Sequence, residues 1–463
     1  PDQVHEPGSV HSYSNFGYAL LGYLIQEISG IPYEVYIRTQ ILEPLGMSNT
    51  DLTQPLPETL RSNLARSYIW QDEQIYLPRD YTNTTPGGGI VSNAVDMSKY
   101  MLMLLNGGKL NDTRLLNSDS FEQLTSQQYG SRQTKYGICY AFFENMWTTR
   151  RSLDHTGGQL GFVSLMVLIP ETGTGIFIAQ NNRKGAGSFR YDVMIPFLDS
   201  LLGEKKRDIA KITPPENFDK IAKNYVGRYK QKNYPKATFE KLARFFGAFT
   251  TEYWVSYKGE GIMDIRGTEY IMVDEHLFQM NDKESTHKME FKVDDKGKAQ
   301  ELMIGTTSYE RVPWYKFKRV LQFSLIVSMI MLLLHVVVNP IRRIIRKRRL
   351  IADFSETRPT WISKWQYLTA LLYVLGTIGV AILFAYYQDQ MSDYGVPFVL
   401  KVILLIYTMA FILACLFPIV LWKSLTIKSL SPVDRLKDLI IVLAIVITSL
   451  TLYHFNMIGF QYY

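Results

Sequence analysis

Residues 7 to 23 read Pro-Gly-Ser-Val-His-Ser-Tyr-Ser-Asn-Phe-Gly-Tyr-Ala-Leu-Leu-Gly-Tyr, and the reading of this stretch decides the fold. From Tyr18 to Ser29 the apolar residues Leu20, Leu21, Leu24, Ile25 and Ile28 recur at helical spacing, and Gly30 supplies a stop. The periodicity predicts a buried helix entered by a loop at Tyr13-Ser14-Asn15, the kind of place where a rigid scaffold carries functional side chains. Residues 86 to 108 lead from a Pro-Gly-Gly-Gly turn into an amphipathic helix, with Ser92 or Asn93 as its cap and Asn106-Gly107-Gly108 as its end. Residues 154 to 162 read Asp-His-Thr-Gly-Gly-Gln-Leu-Gly-Phe. The apolar runs at 163–170 and 175–180 that follow predict a hairpin of two buried strands.

Taken in order, Tyr13-x-Asn15, the phrase Ile41-Leu42-Glu43-Pro44-Leu45-Gly46-Met47, the glycine turn and His155-Thr156-Gly157 resemble serine beta-lactamases of the class C type and their penicillin-binding relatives. The resemblance covers roughly residues 1 to 200 and implies an α+β beta-lactamase-like (DD-peptidase) domain. It implies that Tyr13 is the general base, that Asn15 orients substrate, and that the Gly158 N–H completes an oxyanion hole. Thr156 then hydrogen-bonds the substrate, Gly157 lets the strand come close to it, and the Ile41–Met47 phrase is structural. True beta-lactamases of this type carry Lys-Thr-Gly; His155 instead matches the esterase and peptidase branches. A mostly neutral imidazole offers a hydrogen bond with less charge than an ammonium, so an ester or peptide suits the site better than a free carboxylate.

In the resemblance, the nucleophile belongs to a Ser-x-x-Lys motif well upstream of the tyrosine, and only twelve residues precede Tyr13. The motif occurs once in the chain, at Ser285-Thr286-His287-Lys288, beside the alternating Met289-Glu290-Phe291-Lys292-Val293. It works by opening a helix, so that the lysine one turn later points back at the serine. A strand edge sends the two apart, and Ser285 is expected to be a chance match. The hydrolase domain is therefore expected to be incomplete at its N-terminus, an expectation shared by the missing initiator methionine and export signal at Pro1. A tyrosine phenol titrates near about 10 in water and needs a neighbouring cation to act as a base near neutrality. Without the lysine this stretch is expected to be inactive by itself. For an intact protein the implied chemistry is acyl transfer through an acyl-enzyme, with no cofactor. No metal is expected, because no His/Cys/Asp cluster has ligand spacing.

The 463 residues suggest about two to four domains at roughly 150 residues each. We assign 1–205 to the hydrolase domain. From about Pro215 the text changes to short alternating segments: 225–229, 252–257, 270–273, 277–280, 288–293 and 301–304. They predict a small antiparallel β domain over 215–313; it resembles the small, lipocalin-like β-barrel domains that follow the hydrolase domain in some beta-lactamase-like proteins, and reads as a spacer or lid rather than a ligand carrier. Beyond residue 317 the composition becomes membrane-like. Apolar runs at about 320–338, 367–386, 396–421 and 439–455 predict a transmembrane region of four helices over 317–463.

Basic residues after the first run (Arg342 to Arg349) and after the third (Lys423, Lys428, Arg435, Lys437) place those loops in the cytoplasm; the loop after the second carries Asp389 and Asp393. Lys316, Lys318 and Arg319 count the other way but are outnumbered. The hydrolase domain is then extracellular on a multi-pass plasma-membrane protein, and Trp361, Trp365 and Trp422 suit an interfacial belt. The net charge of +7 comes mostly from these loops, which points to anionic lipid and not to nucleic acid. His335, His454 and Asn456 are polar candidates for function within the spans, with anchoring the simpler reading. Cys139 and Cys415, the only cysteines, are not expected to pair; a disulfide-free exported domain suits a bacterial surface. Partners are then a small-molecule or peptidoglycan-type substrate and the lipid bilayer, with the oligomeric state open. The competing class is a non-catalytic cell-wall or peptide-binding sensor that signals through the helices.

Overall fold

The helix that the opening stretch predicts runs Asn15–Ser29. Ser14 caps it, its Oγ accepting the Gly17 N–H at 3.0 Å, and Gly30 closes it in the left-handed region at φ +69°. Asn15 is thus its first residue and not part of the entering loop. The helix is not buried either: Gly22 is its one buried residue, while Phe16, Leu20, Leu21, Leu24 and Ile28 are exposed. Apolar periodicity identifies one face of a helix but does not say what covers that face.

The computed structural model describes residues 3–79, 81–131, 133–147, 150–182, 189–203, 213–242, 245, 251–282, 285, 287–348, 359–393 and 398–459. Thr286, Arg349 and the connection that follows Arg349 lie outside them, as do the side chains of Asp389 and Asp393. The chain divides into two compact units, one of Gly8–Val226 with Val255–Ser308 and one of Pro1–Pro7, Gly227–Trp254 and Tyr309–Tyr463.

In the first of these units β1 (Ser67–Gln71) and β2 (Glu73–Leu77) form one hairpin, and β3 (Lys109–Leu110) and β4 (Thr113–Arg114) another. The central sheet holds β5 (Tyr129–Ser131), β6 (Tyr136–Ile138), β7 (Phe143–Asn145), β8 (Ser152–Gln159), β9 (Phe162–Ile169) and β10 (Thr174–Gln180), in the order β10-β9-β8-β7-β6-β5. The β9/β10 pair is the hairpin read from the sequence, with Thr174 opposite Ile169, but only β9 is buried as expected; β10 lies half-buried along most of its length. Leu153 of β8 and Met166 and Leu168 of β9 pack with Leu42, Leu45, Met47 and Met101. The Ile41–Met47 phrase therefore contributes core side chains. Asp96, fully buried on the helix Ala94–Leu105, accepts from the Asn49 N–H at 2.7 Å, the Thr50 hydroxyl at 2.9 Å and Lys99 at 3.1 Å. The bonds to Asn49 and Thr50 fasten the helix to the residues that follow that phrase, and Asn93 rather than Ser92 caps it.

Eight strands close into a barrel: β11 (Gly227–Gln231), β12 (Glu252–Gly259), β13 (Ile262–Ile265), β14 (Thr268–Asp274), β15 (Leu277–Met280), β16 (Lys288–Val293), β17 (Ala299–Ile304) and β18 (Thr307–Arg311). Sequence alternation found six of them; β13 and β18 are additional. Val255, Met263, Phe278, Met289 and Leu302 are wholly buried, and Tyr225 stacks edge-on against Phe278 and Phe291 at 5.1 Å. Side chains thus fill the interior, as expected of a barrel this small. Ser285 lies in a loop and Lys288 opens β16, so the two do not share a helix.

In the second unit four stretches are long and apolar enough to cross a membrane: Lys318–Arg342, Thr360–Leu383, Phe398–Thr426 and Pro432–His454. The third comprises two helices, Phe398–Ala414 and Phe417–Thr426, because Pro418 lacks the N–H that would continue the ladder across Cys415 and Leu416. Polar pairs tie these helices together: Gln366 to Asp438 at 3.1 Å, Tyr373 to Ser449 at 2.6 Å and Thr448 to Ser328 at 2.9 Å. Trp361 and Trp422 are exposed, but Trp365 leaves the expected belt: it is buried and donates to the Leu413 carbonyl at 2.7 Å. His335 lies one turn from Asn339, 3.0 Å from its side-chain amide. Asn456 donates to the carbonyls of Lys236 and Thr238, a structural tie and not a free polar group.

Candidate active site

Three separated stretches meet around the start of the helix Asn15–Ser29. A Cβ on Gly22 would lie 2.2 Å from the Pro86 ring, and one on Gly87 would lie 3.1 Å from the Asn15 carbonyl oxygen. A side chain at position 22 would collide with the turn, and one at 87 would fit only tightly, so these glycines let the turn seat against the helix. From the other side Gln159, at the end of β8, donates through Nε2 to the Gly88 carbonyl at 3.0 Å. The glycine turn is thereby held between the helix that follows Tyr13 and the strand that carries His155.

The same arrangement brings Tyr13 and His155 onto one cavity of about 380 Å³, with ring centroids 6.2 Å apart. Phe143 lies 5.8 Å from His155, and His11 meets Phe143 edge-on at 5.9 Å. Tyr18, Leu21, Ile138, Tyr140 and Phe142 complete a largely apolar wall, and among the described residues no charged side chain lines it. Burial holds the imidazoles of His155 and His11 below the usual histidine range, so both are neutral at pH 7. Burial also raises the Tyr18 phenol. Tyr13 itself is about half exposed.

Thr156 and Gly158 are exposed, and a Cβ on Gly158 would meet open space. Gly157 differs: a Cβ there would lie 2.2 Å from Ser164 Oγ on β9. The Ser164 side chain thus occupies the space beside Gly157 and would have to rotate to admit a larger residue. β8 pairs with β9 from Leu153 to Gln159 but with β7 only from Ser152 to Asp154. Among the described residues, no named strand pairs with His155–Gln159 on the β7 side.

The sequence reading gave Asp154 no role. It is buried, and its Oδ2 accepts from Asn145 Nδ2 and Trp147 Nε1, both at 2.6 Å. Burial pushes its carboxyl up to about 6, against the pull of these two donors. An acid directly before a site histidine was the available signal, though alternation sends the two side chains to opposite faces of β8. Cys139 lines the cavity as an inert thiol, raised to about 11 by burial. Among the described residues, no group of three or more His, Cys, Asp or Glu is disposed to hold a metal ion.

Residues 2–195 match the family model described as Beta-lactamase. Among curated proteins the chain is similar to one from Escherichia coli (strain K12) under the provisional name D-alanyl-D-alanine carboxypeptidase. The two are 28% identical over 142 residues, covering 26% of this chain and 33% of that protein. A protein of the same name from Salmonella typhi is 28% identical over 141 residues, with the same coverage. The chain thus spans about a third of the length of the curated relatives it matches. Among solved structures it is similar to the octameric penicillin-binding protein homologue from Pyrococcus abyssi, at 20% identity and a TM-score of 0.39 over 66% of each chain. It is also similar to the D-amino acid amidase from Ochrobactrum anthropi SV3, at 25% identity and a TM-score of 0.34 over 43% of this chain and 63% of that one.

Proposed function

We propose that this chain carries the base side and the strand side of a serine acyl-transfer site, in a multi-pass membrane protein whose hydrolase domain faces outward. Tyr13 takes the proton of a serine nucleophile from a Ser-x-x-Lys segment outside these residues, and Asn15 orients the substrate. The Gly158 N–H stabilises the tetrahedral oxyanion, and Thr156 hydrogen-bonds the substrate. The observation that carries this reading is the meeting of Tyr13 and His155 on one cavity, brought about by the glycine turn. The open edge of β8 at His155–Gln159 supports a peptide-type substrate, because an extended chain docks there by backbone hydrogen bonds. A neutral His155 and an uncharged cavity wall favour an ester, an amide or a D-amino-acid peptide bond over a substrate held by its carboxylate.

The test is labelling with a fluorophosphonate and with a fluorescent penicillin, on residues 1–463 and on the protein extended through its upstream reading frame. We expect residues 1–463 alone to react with neither, and the extended protein to react with the fluorophosphonate. An extended protein that contains the motif and takes up neither probe supports the sensor reading instead, with peptidoglycan fragments or peptides as the bound partner.

A further inference from the structure

The connection between β11 and β12 belongs to the same unit as the membrane helices and reaches into them. Leu242 is only 8% exposed in the apolar cluster of those helices, with Phe239 and Phe245 packed against the same cluster. The Phe245 ring meets Phe455 edge-on at 5.7 Å, and Asn456, just past the last span, donates to the carbonyls of Lys236 and Thr238 at 2.8 and 2.9 Å. At the start of the first span the Lys318 N–H donates to Glu252 at 3.3 Å. Both ends of the β11–β12 connection are therefore fixed at the level where the first span begins and the last one finishes.

At that level several large aromatic side chains stand exposed: Trp254 at 58%, Trp314 at 68% and Tyr315 at 54%. Among them lies Arg228, its guanidinium carbon 4.8 Å from the Trp254 ring centroid and 4.3 Å from that of Phe317. Lys316 and Arg319 are exposed beside them. Such a patch is poorly suited to water, whereas amphipathic rings flanked by cations suit the headgroup layer of a bilayer. The adjoining spans bring that layer to this place.

We propose that Arg228, Trp254, Trp314, Tyr315, Lys316 and Arg319 form a lipid-contacting face seated in the headgroup layer of the membrane that the four helices cross. The rings rest at the acyl boundary and the cations lie on lipid phosphates. The barrel strands that carry Arg228 and Trp254 are thus a peripheral membrane surface, not a wall facing water.

The test uses the full chain in nanodiscs with ordinary or brominated acyl chains. The emission of Trp254 and of Trp314 is isolated as the difference between wild type and Trp254→Phe, and between wild type and Trp314→Phe. We expect brominated lipid to quench both differences and aqueous iodide to leave them little changed. Quenching by iodide without quenching by bromine overturns the proposal. Protection from both quenchers also overturns it, because a protein surface then covers the patch. Trp314 lies in a short turn outside the barrel strands, so its variant remains informative if Trp254→Phe misfolds.

Discussion

Asp154 and His155 are adjacent on β8, and burial, which disfavours the charged form of each, moves their pKa values in opposite directions. Asp154 has a raised folded pKa, so its contribution to stability is complete below the ordinary value of 3.8 and is lost as pH rises through about 6. Because Trp147 donates to this carboxylate, we expect its emission to titrate with a midpoint near 6 and Asp154→Asn to abolish that step. A Trp147 signal that stays flat between pH 4 and 8, a window bracketing that midpoint, contradicts the assignment. His155 and His11 have lowered folded pKa values; their contribution is present above 6.5 and is lost on acidification. Gly157 makes a second test. Gly157→Ala brings a methyl within 2.2 Å of the Ser164 Oγ position, a contact that rotation of the serine about χ1 relieves, so the expected cost is below about 1 kcal/mol and the added change Ser164→Ala shows little coupling in a double-mutant cycle. The identities of Tyr13, His155 and Gly158 were legible because short motifs are written in residue types. That Gly157 lies against Ser164 was not legible, since cross-strand register appears only after folding.

Elements were legible where their period was long and their ends marked. The helix Asn15–Ser29 has both, whereas β13 and β18 are short, and the turns around β13 place Glu260 and Arg266 at φ 52° and 55° in place of the expected glycines. Replacing Arg266 with glycine is accordingly expected to stabilise the barrel by about 1 kcal/mol, read as slower hydrogen exchange in β13 and β14. Unchanged or faster exchange speaks against strain there. The third apolar run reads as one span because hydropathy does not register that Pro418 breaks a backbone ladder. Asn456 looked like a polar group in an apolar run until its two carbonyl partners were visible. Asn456→Ala is expected to weaken the docking of the β11–β12 connection by about 1–3 kcal/mol, seen as faster amide exchange at Phe239–Leu242.

At the scale of the whole molecule, the composition shift near residue 317 made legible the four helices long and apolar enough to cross a membrane, and the motifs made legible the family match over residues 2–195. Which side faces out rests on loop charge. In a Cys415→Ser background we expect a cysteine at Ser12 to react with an impermeant maleimide on intact cells, and one at Ser429 to react only after the cells are opened; the reverse pattern inverts the proposed topology. The central claim concerns the cavity shared by Tyr13 and His155, and the acylation rate tests it most directly. In the protein extended to include a Ser-x-x-Lys, Tyr13→Phe is expected to slow fluorophosphonate labelling by about 10²–10⁴-fold, with the adduct on a serine outside residues 1–463. An unchanged rate, or an adduct on a serine within these residues, contradicts the account.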